Sequence, residues 1–191
     1  MSIQHEPIPV RLILSMITSD NIYFKEVVKA AEDLWGRIDF LSEKLSFNHT
    51  AYYEEEMGGG LFRKICSFEK LILPEMLPSI KLQCSSFEAM FLNEQGKRRV
   101  NVDPGYMACE KMVLATFKNF SHRIYLGEGV YGDLTLVYRD KKFRALDWTF
   151  PDYNSQEMLS VLNVIRDRYV MKLKFQDQTS HETISQKVDV C

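Results

Sequence analysis

Apolar and polar positions follow two regimes along the chain, and the change falls near Gly96. Before it, hydrophobic residues come as continuous runs and helical stripes. Residues 10–16 are an apolar run opening after two prolines, which predicts a buried strand. Residues 17–21 turn polar, and Asp20 or Asn21 can cap a helix over residues 22–35 that puts Val27, Ala31 and Leu34 on one face and stops at Gly36. Residues 38–41 and 51–56 read as further strands or extended segments. Residues 68–73 are apolar and end at Pro74, and the nearby Pro78 is placed to start a helix in its first turn. Ile80, Cys84, Phe87 and Phe91 then recur at helical spacing, one core-facing stripe of an amphipathic helix that ends at Gly96.

After Gly96 the period becomes alternating. Residues 99–103, 112–117, 122–126, 134–138 and 143–148 predict short strands. Turns are expected at Asp103-Pro104-Gly105, 118–121, 127–129 and 139–142. Short strands with tight connections favour an antiparallel sheet. Asn154 and Glu157 have capping-box spacing, and Leu162, Ile165, Tyr169 and Leu173 carry a closing helix to about residue 173. Residues 176–191 are polar and without period, which predicts a mobile tail behind a single domain over residues 1–175. The order β-α-β-β-α, then strands, then a helix implies an α+β protein. It predicts a ferredoxin-like β-α-β start, an antiparallel sheet extension and a closing C-terminal helix.

Composition narrows the function more than it names one. With 191 residues, 46% of them hydrophobic, the chain is sized for one well-filled core. A net charge of −2 provides no global field toward nucleic acid or an acidic membrane. The charge is uneven, however: residues 1–96 carry 9 Lys/Arg against 14 Asp/Glu, and residues 97–144 carry 10 against 5. Cys66, Cys84, Cys109 and Cys191 form no CxxC pair and have no His at metal spacing, so reduced thiols are expected. No apolar run approaches the ~20 residues of a membrane span, and the N-terminus lacks a signal pattern. A cytoplasmic protein without a cofactor is therefore the expectation.

Candidate chemistry concentrates between Asp103 and Tyr153. The turn Asp103-Pro104-Gly105-Tyr106, the segment holding Lys118, His122, Arg123 and Tyr125, and the stretch Asp147-Trp148-Thr149-Phe150-Pro151-Asp152-Tyr153 can meet if their strands pair as neighbours. Lys118 and Arg123, with Tyr106, Tyr125 and Tyr153 beside them, have the donors for a phosphate- or carboxylate-bearing small molecule. His122, Asp103 and Asp152 are the candidates for proton transfer. Strand alternation sets His122 and Arg123 on opposite faces, which favours a hydrogen-bonded structural role for His122 and leaves Arg123 divided between a ligand and a bridge to Asp103 or Asp147. Met57-Gly58-Gly59-Gly60-Leu61 lacks the GxxxxGK[ST] spacing of a phosphate loop and reads as a turn. Glu56, in the acidic run beside it, is a weak metal candidate. Two other functions compete: an RNA-binding module stacking bases on Tyr125, Tyr138 and Phe143, and an accessory subunit marked by an exposed apolar patch.

Several phrases together resemble a family of bacterial proteins known as domain of unknown function 4416. They include Thr50-Ala51-Tyr52-Tyr53, Glu56-Met57-Gly58, Arg63, Ile80-Lys81-Leu82, Val100-Asn101-Val102-Asp103-Pro104-Gly105-Tyr106, His122-Arg123-Ile124-Tyr125-Leu126 and Trp148-Thr149-Phe150-Pro151-Asp152-Tyr153. The likeness runs from about Pro9 to Tyr169, and the chain departs from it at Cys84-Ser85, where Thr-Asn is usual. The resemblance implies no activity. A GTP-binding description given to some relatives finds no phosphate loop and no Asn-Lys-x-Asp element here.

Overall fold

A computed structural model describes residues 3–47 and 53–179. In chain order the elements are β1 (Val10–Thr18), α1 (Asn21–Trp35), β2 (Ile38–Leu41), β3 (Leu45–Ser46), α2 (Glu54–Met57), β4 (Phe62–Ile72), α3 (Leu77–Glu88), β5 (Val100–Met107), β6 (Lys111–Thr116), β7 (Arg123–Gly127), β8 (Val130–Arg139), β9 (Lys142–Ala145) and α4 (Gln156–Thr179). The strands make one antiparallel sheet in the order β2-β4-β1-β5-β6-β8-β7, with β3 beside β4 and β9 beside β8. Its first half, β2-β4-β1-β5 with α1 and α3 as crossovers, is the split β-α-β-β-α-β order of a ferredoxin-like unit. The second half is the expected antiparallel extension.

All nine residues of β1 are buried because the strand is paired on both edges and covered on both faces. One face carries Leu12, Leu14 and Met16 against Phe24, Val27 and Ala31 of α1 and Ile80, Cys84 and Phe87 of α3. The other carries Ile13 with Ile65, Met107 and Leu136 against Met158, Leu162 and Ile165 of α4. The helix caps follow the local chemistry: the Asp20 carboxylate accepts the Ile22 N–H at 2.7 Å, and Gly36 ends α1 at a φ of 92°.

Several local expectations are corrected. Asp103-Pro104-Gly105-Tyr106 is not a turn but the middle of β5. The reason lies in the pairing: β5 meets β6 only from Gly105 to Met107, so Pro104 sits where that edge is unpaired and its missing N–H costs no ladder bond. Gly105 is needed at the meeting point, because a Cβ there would lie 2.4 Å from the Val113 carbonyl oxygen. The apolar stretch noted over residues 68–73 is largely the end of a longer strand, β4, that begins at Phe62 and brings Arg63 into the sheet. The extended segment expected over residues 51–56 lies partly outside the described residues, and its last three form part of the short helix α2. α4 runs on to Thr179, into the expected tail; residues 180–191 are outside the described set. Cys66 and Cys84 are free and buried, and burial holds both thiols above their ordinary range. Cys109 is disulfide-bonded, unlike the reduced thiol expected.

Candidate functional site

Where β5 and β6 stop pairing, the sheet splays and a cleft opens on the α4 face. Its cavity of about 400 Å³ is lined by Phe47, Tyr53, Arg63, Asp103, Leu114, Lys118, Phe150, Pro151, Asp152 and Tyr153. Asp103 comes from the unpaired edge of β5, Leu114 from β6, and Lys118 from the turn after β6. Phe150 to Tyr153 form the single turn of 3₁₀ helix before α4 and its approach. That approach is pinned to β8: the Trp148 indole donates to the Leu134 carbonyl at 2.8 Å, and the Thr149 hydroxyl to the Thr135 carbonyl at 2.6 Å.

Arg63 is the unusual member. It is 6% exposed, on the face of β4 that looks toward the cavity, with the rings of Phe47 and Tyr153 lying 4.8 and 4.7 Å from its guanidinium carbon. Its Nη2 is 2.9 Å from Asp152 Oδ2, close enough for ion pairing but off the line of a hydrogen bond. Arg63 Nε and Nη1 and Asp152 Oδ2 therefore have no hydrogen-bond partner. Each such buried polar atom costs about 1–3 kcal/mol.

Asp103 is held differently. Lys81, reaching from α3, donates to its Oδ1 at 2.8 Å, and Asn101 donates to its Oδ2 at 2.7 Å. Burial alone would raise the Asp103 carboxyl, but Lys81, those two hydrogen bonds and the Arg63 charge outweigh it and keep it below the ordinary carboxylate range. For Lys81, likewise, burial pulls the ammonium down and Asp103 more than restores it, leaving it above its usual value. Asp103 is thus a fixed anion at neutral pH and a poor proton acceptor. Burial also pushes the Tyr153 hydroxyl up to about 12 and lifts that of Tyr53 further, so both stay protonated donors.

The polar network continues away from the cavity. Arg98 Nη1 donates to Asn101 Oδ1 at 2.9 Å, while its Nε and Nη2 grip Glu56 at 2.8 and 2.7 Å. Both oxygens of Glu56, the weak metal candidate, accept from Arg98, whose hydrogen bonds hold its carboxyl low. No group of three or more metal-ligating side chains occurs among the described residues.

Of the residues singled out in the sequence, Asp103, Lys118, Asp152 and Tyr153 come together in this cavity. His122 and Arg123 do not. Both turn to Asp133 on β8, His122 Nε2 at 3.1 Å and Arg123 Nε at 2.9 Å from its Oδ2. Alternation fails to separate them because β7 begins only at Arg123, leaving His122 in the turn, where its ring stacks on Trp148 at 4.8 Å. Tyr106 lies by a different hollow, with Pro7, Pro74 and Tyr169. Tyr125 is exposed on the edge strand β7, against Tyr131. Phe143 is buried and Tyr138 packs on it, so Tyr125 is left as the exposed ring among the three considered for base stacking. Phe120, before β7, and Ile124 and Tyr125, on it, are all more than half exposed.

Arg63 and Lys81 were visible in the sequence only as members of the family phrases. A physical signal for Arg63 did exist: an arginine two residues before Ile65 in an apolar strand is a charge on the inward face.

A family model described as a domain of unknown function (DUF4416) matches residues 8–169. Neither the curated proteins nor the solved structures contain a match to the chain. No helix among the described residues is long and apolar enough to cross a membrane.

Proposed function

The chain belongs to the DUF4416 family, and from that premise we propose that its cavity binds a small anionic molecule, with Arg63 as the principal partner. The observation that carries this reading is the guanidinium itself, a buried cation beside a cavity with two nitrogens that no described group accepts from. Burial of such donors is costly unless they are paired in some state of the protein. A carboxylate or phosphate oxygen brought to Arg63 would supply the missing acceptor, and Lys118 adds a second cation on the same cavity wall. Asp103, fixed as an anion by Lys81 and Asn101, keeps the pocket from becoming a general sink for negative charge. This reading is one of binding, since the carboxylate of Asp103 is held ionised by its partners.

Side-chain NMR tests the reading. Adding benzoate and inorganic phosphate in turn to the full chain should shift the Arg63 Nε–H resonance in a saturable way with at least one of them. Arg63→Gln should abolish the saturable shift of the Tyr153 ring signals. If neither anion moves a cavity resonance at millimolar concentration, the reading is wrong.

A further inference from the structure

An open sheet ends in two edge strands, and each edge offers backbone N–H and C=O groups on which a further strand can be laid. Here the edges are β2 and β7, and they are finished differently. At β2 the backbone is capped from within the chain. Glu32 of α1 accepts the Ile38 N–H at 3.0 Å, Arg168 of α4 donates to the Asp39 carbonyl at 2.9 Å, and a register shift between Ile38 and Phe40 interrupts the ladder. On β7, by contrast, Ile124, Tyr125 and Leu126 follow one another at 71, 59 and 40% exposure, with neither a charge nor a proline among them. The one charged residue of the strand, Arg123, is turned to Asp133. The register shift of β7 falls at its hairpin end, between Tyr125 and Gly127, so Arg123 to Tyr125 keep step with β8.

We propose that β7 is where a second copy of this chain docks, pairing antiparallel with its own counterpart about a two-fold axis so that two sheets join into one. The choice of occupant rests on self-complementarity. A two-fold axis at an edge strand lays the same sequence against itself in reverse, so a strand with charges or prolines on its edge excludes its own copy, whereas an apolar one accepts it. On one face of β7, Ile124 is opposite Gly132 and the Leu126 side chain lies over the same glycine, which has no side chain to cover them. The axis would bring four such aliphatic side chains together. On the other face Tyr125 packs on Tyr131 at 5.3 Å, and the axis adds the same pair from the second copy.

The area is also adequate. Past β7, the same side of β8 is covered by Trp148 and Thr149, which donate to the Leu134 and Thr135 carbonyls, and then by β9. Phe120 and Trp148 both lie against the His122 ring. Taken with Phe150, the exposed parts of Phe120, Ile124, Tyr125, Leu126 and Trp148 come to roughly 650 Å² at ~200 Å² for each large side chain. A standard stable interface buries about 800 Å² per partner, and the newly paired backbone of β7 supplies the difference.

Sedimentation velocity of the full chain from about 1 to 100 μM tests this. The expected result is a species of twice the 22.3 kDa chain mass that gains population with concentration. Ile124→Lys, at an exposed position, sets like charges against each other across the axis and should raise the dissociation constant about tenfold or more. Ile124→Ser, which adds no charge, should weaken association in the same direction but less. Met171→Lys, on an exposed part of α4, should leave it unchanged. Amide hydrogen exchange over residues 123–126 should slow as concentration rises. A monomer across the whole range overturns the proposal, as does a dimer that survives Ile124→Lys, one that Met171→Lys disrupts equally, or one that slows exchange only outside β7.

Discussion

Replacing Lys81 with methionine removes the cation from a buried ion pair while keeping most of the side chain's volume, and its cost can be worked from the geometry. The Nζ–Oδ1 separation is 2.8 Å. At an effective dielectric constant near 20 the gross attraction is about 6 kcal/mol, most of it offset by the desolvation of both groups. Removing one member of a buried pair strands the other, at a cost of about 3–5 kcal/mol. Asp103 keeps 30% of its side chain exposed and retains Asn101 as a donor, so the lower part of the range applies, about 2–4 kcal/mol after that discount. For a domain of this size that is a fall in Tm of about 4–16 °C. The pH dependence carries the sharper test. The folded-state carboxyl of Asp103 is depressed, so its stabilisation is present above the ordinary carboxylate range and is lost as pH falls through the lower folded value. In Lys81→Met the largest opposing influence is gone, burial dominates, and Asp103 takes up a proton at higher pH, relieving the stranded charge. The stability gap between wild type and variant should therefore be widest at pH 7 and narrow toward pH 4. Lys81, raised in the folded state, contributes below its ordinary range and loses that contribution only as pH rises through its higher folded value. Urea unfolding at pH 7 and pH 4.5, with equal m values confirming a like denatured state, measures both quantities. A gap below about 1 kcal/mol at pH 7, or one that does not shrink at pH 4.5, would refute the reasoning.

Three further substitutions separate packing from site chemistry. Gly105→Ala should cost about 1–3 kcal/mol, since its Cβ meets the Val113 backbone and forces β5 from β6. Gly132→Ala, whose Cβ would meet the Leu126 side-chain tip at 3.1 Å, should cost less than about 1 kcal/mol. Thermal unfolding that ranks the two the other way would contradict the register described. Asp133→Asn should lower stability by about 1–3 kcal/mol by weakening the grip on His122 and Arg123, and should leave benzoate or phosphate affinity within twofold. A tenfold change in affinity would mean that the Asp133 cluster belongs to the site after all.

What the amino-acid order determined by itself is whatever depends on near neighbours. The apolar run at residues 10–16, the Asp20 cap, the Gly36 stop and the stripe Ile80-Cys84-Phe87 encode β1, α1 and α3 through periods of burial and local hydrogen bonds. The alternation after Gly96 encodes the antiparallel extension for the same reason. Lys118, Asp152 and Tyr153 were legible as neighbours because turn-forming and polar types mark segments near strand ends, whereas Asp103 was grouped with them on a turn that is strand in the structure. Tertiary structure decided the rest. It made Asp103-Pro104-Gly105 a strand, since the edge against β6 is open at Pro104 and the close approach of Val113 requires Gly105. It also gave His122 and Arg123 to Asp133, and brought Arg63 and Lys81 from distant elements to the place where the sheet splays. Whether a buried cation finds a partner depends on which strands are neighbours and where they part, and that is set by long-range pairing rather than by any window of the chain.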